Sequence, residues 1–346
     1  MSLKWLLVGP GDIANTRVAP ALKAAEGSEL VAVCGRAGSA KTRALAEKYA
    51  IPLVYDDLDR ALAESGADAV YICTPHTLHV GQCLRTIETG KHVFSEKPLG
   101  ETTAECLPLL QAVDAHPDLA AACSDYRLFT NQFRTTRQLV RDGAIGELSG
   151  GWAHDEEAFF NPGGGPKLKS RGASRLLSLG FYLFDIARAL FGMPEEVFAA
   201  MTSFNFQKEM DYDVEDMIDV LLKFPGGKRF SVRIETTFQG PLRHAYEFCG
   251  SDGRILWPEC PPHFNSPIVL VDKQGSRVLE GSHSGPECGV RPNWHLPMIQ
   301  DFVDAVAAHR PPFCTIANAV NVMRIADAAL ASAEADAPVR LGERQA

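Results

Sequence analysis

The sequence lacks several features that would assign it quickly to one class of protein. No two of its nine cysteines form a C-x-x-C pair, which disfavours a zinc ribbon or a thioredoxin-like motif. No apolar run approaches the roughly 18 residues of a membrane-spanning helix, and we find no internal repeat or low-complexity tract. The chain is also acidic. It has 34 Lys and Arg and 43 Asp and Glu, which gives a net charge of −9, and it contains no basic run. Nucleic acid and anionic membranes are therefore disfavoured as main partners.

What is present is typical of a globular protein of two domains. The chain has 346 residues, of which 46% are apolar and 22% are charged, so it can bury a large core without disulfides or metals. Most cysteines stand beside apolar residues, as in Val33-Cys34 and Ile72-Cys73, which is typical of reduced thiols packed as small hydrophobes. With no leader-like pattern after Met1, these thiols predict a cytoplasmic location.

The order of apolar runs predicts the fold. Up to residue 124, short apolar strands alternate with helical stretches, which indicates a parallel, doubly wound sheet. After it, Asn131–Arg141 predicts a helix with a capping Asn, and residues 148–279 are rich in strand signals, including a hairpin around Pro225-Gly226-Gly227. Further helices are expected at 174–191, 297–308 and 317–333. We therefore predict an α/β protein with a Rossmann domain over 1–124 and an α/β domain over 125–346, whose large open sheet is mostly antiparallel.

A glycine-rich turn joins the first strand to the first helix. Gly9 predicts a tight turn, Gly11 allows the backbone to approach a pyrophosphate, and the small Ala14 permits close helix–strand packing. The helix that follows presents unpaired N–H groups and the positive end of its dipole to the phosphates. We therefore expect a dinucleotide site that includes Gly9, Gly11, Asp12, Ile13 and Ala14.

The second strand carries the signal for the type of dinucleotide. NAD-binding versions usually place Asp or Glu at its end to bind the ribose hydroxyl. Here the strand ends Cys34-Gly35-Arg36, and Lys41 follows on the next helix. Arg36 can pair with a 2′-phosphate, so the sequence predicts NADP in preference to NAD.

Several motifs resemble a known family. The run TPHTLH at 74–79 and the run GKHVFSEKPL at 90–99 resemble those of the Gfo/Idh/MocA oxidoreductases. Shorter matches follow at Tyr126-Arg127, at 143–147 and at 301–305. Among family members, the branch of glucose–fructose oxidoreductase and dimeric dihydrodiol dehydrogenase is the most similar. The resemblance implies a homodimer or homotetramer, since the open sheet commonly mediates association in this family.

The same resemblance implies roles for individual residues. It places Lys97 at the active site, where an ammonium group can polarise a carbonyl or lower the pKa of a neighbouring hydroxyl. It aligns Tyr182 with the proposed acid/base residue of that branch. The further residues that it places near the cofactor are Thr74, Pro75, His79, Glu96 and Arg127.

One position departs from the family pattern. Ser178, four residues before Tyr182, stands where the family usually has Asp, and a serine carries no charge at neutral pH. Ser178, Tyr182 and Asp185 can share one helix face. Three interpretations remain open: Ser178 hydrogen-bonds the substrate, Asp185 or another carboxylate replaces the missing Asp, or the protein binds the cofactor without efficient turnover.

The remaining polar candidates carry less information. Trp294 and His295 precede a predicted helix and are candidates to line a substrate pocket. The acidic stretch 211–219 contains no histidine, so no metal site is expected there.

The sequence therefore predicts an NADP-dependent oxidoreductase. It would transfer a hydride between the nicotinamide and a carbon of a sugar, cyclic polyol or diol, with small molecules rather than macromolecules as partners. The alternatives are a non-catalytic dinucleotide-binding regulator, and a lyase or glycosidase that recycles its cofactor through a transient oxidation.

Overall fold

A computed structural model describes residues 2–157, 174–204, 206, 212–237, 243–260, 266–281, 285–288 and 292–342. The strands are β1 (Leu3–Val8), β2 (Ser28–Cys34), β3 (Leu53–Tyr55), β4 (Ala69–Ile72), β5 (His92–Ser95), β6 (Ala121–Cys123), β7 (Leu148–Glu156), β8 (Glu196–Thr202), β9 (Met217–Lys223), β10 (Arg229–Glu235), β11 (Arg243–Gly250), β12 (Gly253–Cys260), β13 (Ile268–Asp272), β14 (Gly275–Leu279) and β15 (Val339–Arg340). The helices are α1 (Ala19–Ala24), α2 (Ala40–Tyr49), α3 (Leu58–Glu64), α4 (His79–Glu88), α5 (Thr103–Ala115), α6 (Asn131–Arg141), α7 (Phe181–Phe191), α8 (His295–Ala307) and α9 (Ile316–Ala335).

The chain forms two compact units. Unit 1 comprises residues 1–129 and 286–320, and unit 2 comprises residues 130–285 and 321–346. The sequence assigned everything after residue 124 to the second domain, whereas contacts group 286–320 with the amino-terminal residues. No helix among the described residues is long and apolar enough to cross a membrane.

The sheet of unit 1 is fully parallel, with strand order β3-β2-β1-β4-β5-β6. This order is that of a dinucleotide-binding Rossmann sheet, in which the first and fourth strands meet at the centre and the winding direction reverses. Their carboxyl ends leave a crevice where ligands of this fold bind. The predicted doubly wound sheet is therefore confirmed.

Aromatic packing explains why residues 286–320 belong to unit 1. Phe302 of α8 is fully buried, and its ring lies 5.3 Å from that of Trp5 on β1 and 5.1 Å from that of Phe94 on β5. Tyr71 of β4 stacks on Phe94 at 4.8 Å. This cluster contributes several kcal/mol of hydrophobic stabilisation, at about 1.5–3 kcal/mol for each large side chain.

The sheet of unit 2 has nine strands in the order β14-β13-β12-β11-β7-β10-β9-β8-β15. Among the described strands of this sheet, the β7–β10 pair is parallel and the other pairs are antiparallel, which confirms a large, mostly antiparallel sheet. The predicted hairpin is formed by β9 and β10, joined at Pro225–Gly227. On one face, Trp257 Nε1 donates to Thr136 of α6 at 2.8 Å, and a Cβ at Gly180 would lie 3.4 Å from the side chain of Ile234 on β10.

Side-chain caps begin five of the described helices, at Ser39, Asp57, Thr102, Thr130 and Thr315. The expected capping residue of α6, Asn131, is therefore wrong by one position. The hydroxyl of Thr130 accepts a hydrogen bond from the amide of Phe133 at 3.2 Å, and Asn131 is the first helical residue. Thr130 has extended backbone angles, which suit a cap and not a helical position.

Candidate active site

The glycine turn after β1 fits tightly between the ends of neighbouring strands. The amide of Gly9 donates to the carbonyl of Cys34 at 2.9 Å, and its backbone has φ of +91°. A Cβ at Gly9 would lie 2.7 Å from the carbonyl carbon of Cys73. Both the positive φ and the lack of space require glycine at this position.

Gly11 is different, because the protein itself leaves room for a side chain there. A Cβ at Gly11 would have one neighbour within 4 Å, the carbonyl oxygen of Cys73 at 4.0 Å. Residues 12–13 are helical and continue through a π-helical stretch, Ala14–Val18, into α1, so the free amides at the start of this helix lie beside the open space. Ala14 is fully buried, which explains its small size. This cradle, which a side chain would fill, fits the pyrophosphate of a dinucleotide.

A groove runs beside the glycine turn, between the helical residues that follow the turn and α2. It is lined by Pro10, Gly11, Asp12, Asn15, Lys41, Ala44, Leu45 and Lys48. Lys41 thus lies close to the turn. Arg36 follows β2 and is exposed.

Gly35 is a site residue that the sequence analysis did not single out. A Cβ at Gly35 would collide with the hydroxyl of Thr42 and lie 3.1 Å from Pro10. Gly35 therefore lets the end of β2 approach the glycine turn. The available signal was a glycine directly after a buried strand, which often marks close backbone approach.

The ring of His79 lies between the loops after β4 and β5. The two strands are parallel neighbours, so Thr74-Pro75 and Glu96-Lys97-Pro98 emerge at the same edge. The buried imidazole of His79 has Nδ1 2.8 Å from the carbonyl oxygen of Pro98 and Nε2 2.8 Å from that of Thr74. Burial lowers the pKa of His79, and the two carbonyls oppose this effect. The ring of His79 therefore lies between the two motif loops, and in its neutral form it can donate a hydrogen bond to one of the two carbonyls.

Glu96 holds the centre of a buried network in unit 1. The hydroxyl of Tyr71 donates to Oε1 of Glu96 at 2.8 Å, and His295 Nε2 lies 3.3 Å from the same oxygen. Burial acts to raise the pKa of Glu96, but hydrogen bonds from His295 and Tyr71 and the charge of Lys97 outweigh it, so the pKa is lowered. Glu96 is therefore a buried carboxylate, and Lys97 beside it is half-buried.

Three predicted residues are more enclosed than their proposed roles suggest. Trp294 and His295 are buried at the start of α8, and the ring of Tyr126 stacks on His295 with 5.4 Å between centroids. Arg127 is 1% exposed, and its amide donates to Asp125 Oδ1 at 3.0 Å. The structure thus brings Glu96, Lys97 and His295 together within unit 1.

The remaining candidates lie in unit 2, on the segment that packs against β10. Leu176–Gly180 forms a π-helical turn that leads into α7, and such turns are frequent at functional sites. Ser178 lies within this turn, and its hydroxyl donates to the carbonyl of Arg175 at 3.3 Å. Tyr182 follows on α7 and is buried, with 6% of its surface exposed.

Asp185 is held by a charge-assisted hydrogen bond. Arg188 Nε donates to Asp185 Oδ1 at 2.6 Å, and both side chains are largely buried. Proton transfer by Asp185 would require breaking this pair, so the geometry disfavours it as the replacement for the missing family Asp.

Unit 2 also contains a polar cluster that the sequence analysis missed. Asp155 on β7 is fully buried, with His244 Nδ1 at 2.8 Å and the hydroxyl of Tyr246 at 3.1 Å from its Oδ1. The partners are about 90 residues apart in sequence and meet only because β11 pairs with β7, so no local pattern reveals them. Within the described residues, no group of three or more His, Cys, Asp or Glu is placed to hold a metal ion.

Comparisons with known proteins agree with this architecture. Residues 3–122 match the oxidoreductase family with an NAD-binding Rossmann fold, and residues 133–256 match the GFO/IDH/MocA C-terminal domain. An uncharacterized oxidoreductase of Rhizobium meliloti is 31% identical over 252 residues, 72% of each chain.

Two further proteins match nearly the whole chain. D-xylose 1-dehydrogenase (NADP(+)) 2 of Haloferax volcanii is 27% identical over 97% of this chain and 98% of its own. A structure of levoglucosan dehydrogenase, in complex with NADH and levoglucosan, superposes with a TM-score of 0.86 at 20% identity, covering 99% of this chain and 100% of its own.

Proposed function

Since the chain belongs to the Gfo/Idh/MocA oxidoreductase family and is an NAD(P)-dependent oxidoreductase of CH–OH groups, we propose that it acts on a sugar, cyclic polyol or diol with NADP as its cofactor. The observation that carries the proposal is the cradle at Gly11, where the protein leaves open a space that a side chain would fill, at the start of a helix. The names of the relatives, a xylose dehydrogenase among them, support a sugar-like substrate.

The preference for NADP rests on charge. No carboxylate follows β2 directly, and the exposed Arg36 stands in that place. Lys41 lines the groove beside the turn and adds a second cation for a 2′-phosphate. The acidic Asp57, which lies near the end of β2, accepts the amide of Arg60 at 2.8 Å, so its carboxylate caps α3.

The chain's own residues would manage the proton. The nicotinamide, when bound, accepts or supplies the hydride. In the oxidation direction, we expect Tyr182 to take the proton of the substrate hydroxyl. The resemblance assigns Lys97 to the same step, in which a positive charge lowers the pKa of that hydroxyl. Ser178, with a neutral hydroxyl on the π-helical turn, would hydrogen-bond the substrate.

The names of the curated relatives favour a dehydrogenase over a regulator. D-glucoside 3-dehydrogenase of Escherichia coli and trans-1,2-dihydrobenzene-1,2-diol dehydrogenase of Sus scrofa are each 27% identical over about three quarters of this chain. Neither the regulator nor a cofactor-recycling lyase is supported by a specific observation in this structure.

Association through the open sheet is a second part of the proposal. Neighbouring strands place Phe198, Leu221, Ser231 and Trp152 in one row across the sheet, and the three apolar side chains are 37–39% exposed. Such a row favours a homodimer or homotetramer with this face buried. The cysteines described are free, which supports a reducing, cytoplasmic compartment.

Steady-state kinetics with NADP and NAD over a panel of sugars, cyclic polyols and diols test the proposal. We expect turnover on at least one of these classes, with a lower KM for NADP than for NAD. Arg36→Ala should raise the KM for NADP roughly tenfold, the equivalent of about 1.4 kcal/mol, and leave the KM for NAD unchanged. A lower KM for NAD in the unmodified protein would contradict the NADP assignment.

A further inference from the structure

The buried carboxylate of Glu96 links the first residue of α8 to the active-site lysine. We propose that His295 is a positioning residue, which together with Tyr71 holds the Glu96 carboxylate and through it positions Lys97. This inference rests on the proposed function, in which Lys97 acts on the proton of the substrate. Through this contact α8, which follows the Glu-Lys-Pro motif by about 200 residues, takes part in the reaction.

The hydrogen bonds use both oxygens of Glu96. Oε1 receives the hydroxyl of Tyr71 at 2.8 Å and has His295 Nε2 at 3.3 Å. Oε2 accepts the backbone amide of Lys97 at 3.4 Å. The carboxylate therefore holds the backbone of Lys97, the residue whose ammonium group acts in the reaction. The same carboxylate is bound by Tyr71 of β4 and His295 of α8.

Several contacts hold His295 in place. The backbone amide of His295 donates to Asn293 Oδ1 at 3.1 Å, and Asn293 Nδ2 donates to the carbonyl of Arg17 at 2.9 Å. The ring of Tyr126 covers one face, inclined by 24°. With 5% of its surface exposed, His295 has little freedom to leave Glu96.

Electrostatics give this contact a measurable consequence. Burial alone would raise the pKa of Glu96, and the hydrogen bonds from His295 and Tyr71 help to overcome that effect. The titratable groups that act on Glu96 are Tyr71, Cys73, His79, Lys97, Cys123 and His295. Burial raises the pKa of both thiols, so they contribute no charge at neutral pH. Loss of the His295 donor should therefore raise the pKa of Glu96, and the negative charge beside Lys97 would be lost at a higher pH.

Infrared titration of the protein without cofactor measures this directly, with Glu96→Gln to assign the carboxyl band. In His295→Ala we expect the midpoint of Glu96 to rise by about one pH unit, a tenfold change in proton affinity. His295→Gln should restore most of the original midpoint, because its amide N–H can donate in place of Nε2. His309→Ala, which removes an exposed histidine just after α8, is the matched control and should change nothing.

The pH–rate profile provides the second measurement. The acid limb of kcat should move to higher pH in His295→Ala, with kcat reduced roughly tenfold and the KM for NADP within about twofold, as expected for a residue that acts on the chemical step. If His295→Ala does not fold, Tyr71→Phe removes the other donor and should shift the Glu96 midpoint in the same direction.

Two results would overturn the inference: an unchanged Glu96 midpoint in the folded variants, or a His295→Gln protein that behaves like His295→Ala. A shifted midpoint in a protein that turns over no substrate would support the hold on Glu96 and refute the proposed function, so the two failures are distinguishable.

Discussion

Replacing Gly11 by alanine should separate cofactor binding from folding. The new Cβ would meet only the carbonyl oxygen of Cys73, at an ordinary contact distance of 4.0 Å, and Gly11 does not have a positive φ. We therefore expect Gly11→Ala to leave the stability of the folded protein unchanged. The methyl group would, however, occupy the space through which a pyrophosphate approaches the helix amides.

The size of the effect follows from what the methyl group displaces. Pushing the phosphates away by about 1 Å weakens hydrogen bonds to the amides, and a loss of roughly 1.5–3 kcal/mol corresponds to a 10- to 150-fold increase in Kd. Fluorescence titration with NADPH measures the Kd, and thermal unfolding without cofactor measures the stability. The expected result for Gly11→Ala is weak binding with an unchanged Tm.

Gly9→Ala is the matched comparison, with the opposite expectation. Its Cβ would lie 2.7 Å from the backbone of Cys73 at φ of +91°, so the fold itself must distort. Strain of this kind costs about 1–3 kcal/mol, which lowers the Tm by several degrees in a protein of this size. If Gly11→Ala binds NADPH normally, or if it unfolds as readily as Gly9→Ala, the assignment of the cradle is refuted.

Three further predictions concern the buried charges and the acid/base residue. Arg188→Met leaves Asp185 buried without its cation, and urea unfolding should show a free energy of unfolding lower by about 3 kcal/mol. Adding Asp185→Asn to this variant should recover much of the loss. Equal stability of the single and the double variant would contradict a stabilising Arg188–Asp185 ion pair. The pKa of Glu96 is lower in the folded protein than its unfolded value of about 4.5, so the ionised carboxylate stabilises the fold above that pH and this contribution is lost as the pH falls below it. Glu96→Gln should therefore flatten the dependence of Tm on pH in this acid range. Tyr182→Phe should reduce kcat by roughly 10²- to 10⁴-fold with little change in the Kd for NADPH, and a kcat within twofold of the original would exclude Tyr182 as the acid/base residue.

Local patterns predicted much of unit 1 from the sequence. The alternation of short apolar strands with helical stretches up to residue 124 predicts the parallel sheet that the structure shows, because the buried strands of such a sheet are continuous apolar runs. The glycine turn, with its requirement for a strand before it and a helix after it, is also local. Its geometry at Gly9 and Gly11 could thus be anticipated without knowing the rest of the fold.

Contacts between distant segments could not be predicted in this way. Nothing near Glu96 in the sequence indicates His295, and nothing near Asp155 indicates His244, because each pair is created by packing or by strand pairing. The π-helical turn at Leu176–Gly180 could not be predicted from the sequence for a related reason. Its composition fits an ordinary helix, and the strand that it contacts, β10, lies about 50 residues further along the chain.

The discontinuous make-up of unit 1 has a consequence for synthesis on the ribosome. Residues 1–129 leave the exit tunnel first, yet the side chain that fills the space between Trp5 and Phe94 belongs to Phe302. The nascent Rossmann sheet therefore exposes these aromatic rings while about 170 further residues are translated. A chaperone that binds exposed aromatic surface has its opportunity in that interval, and the arrival of α8 ends it.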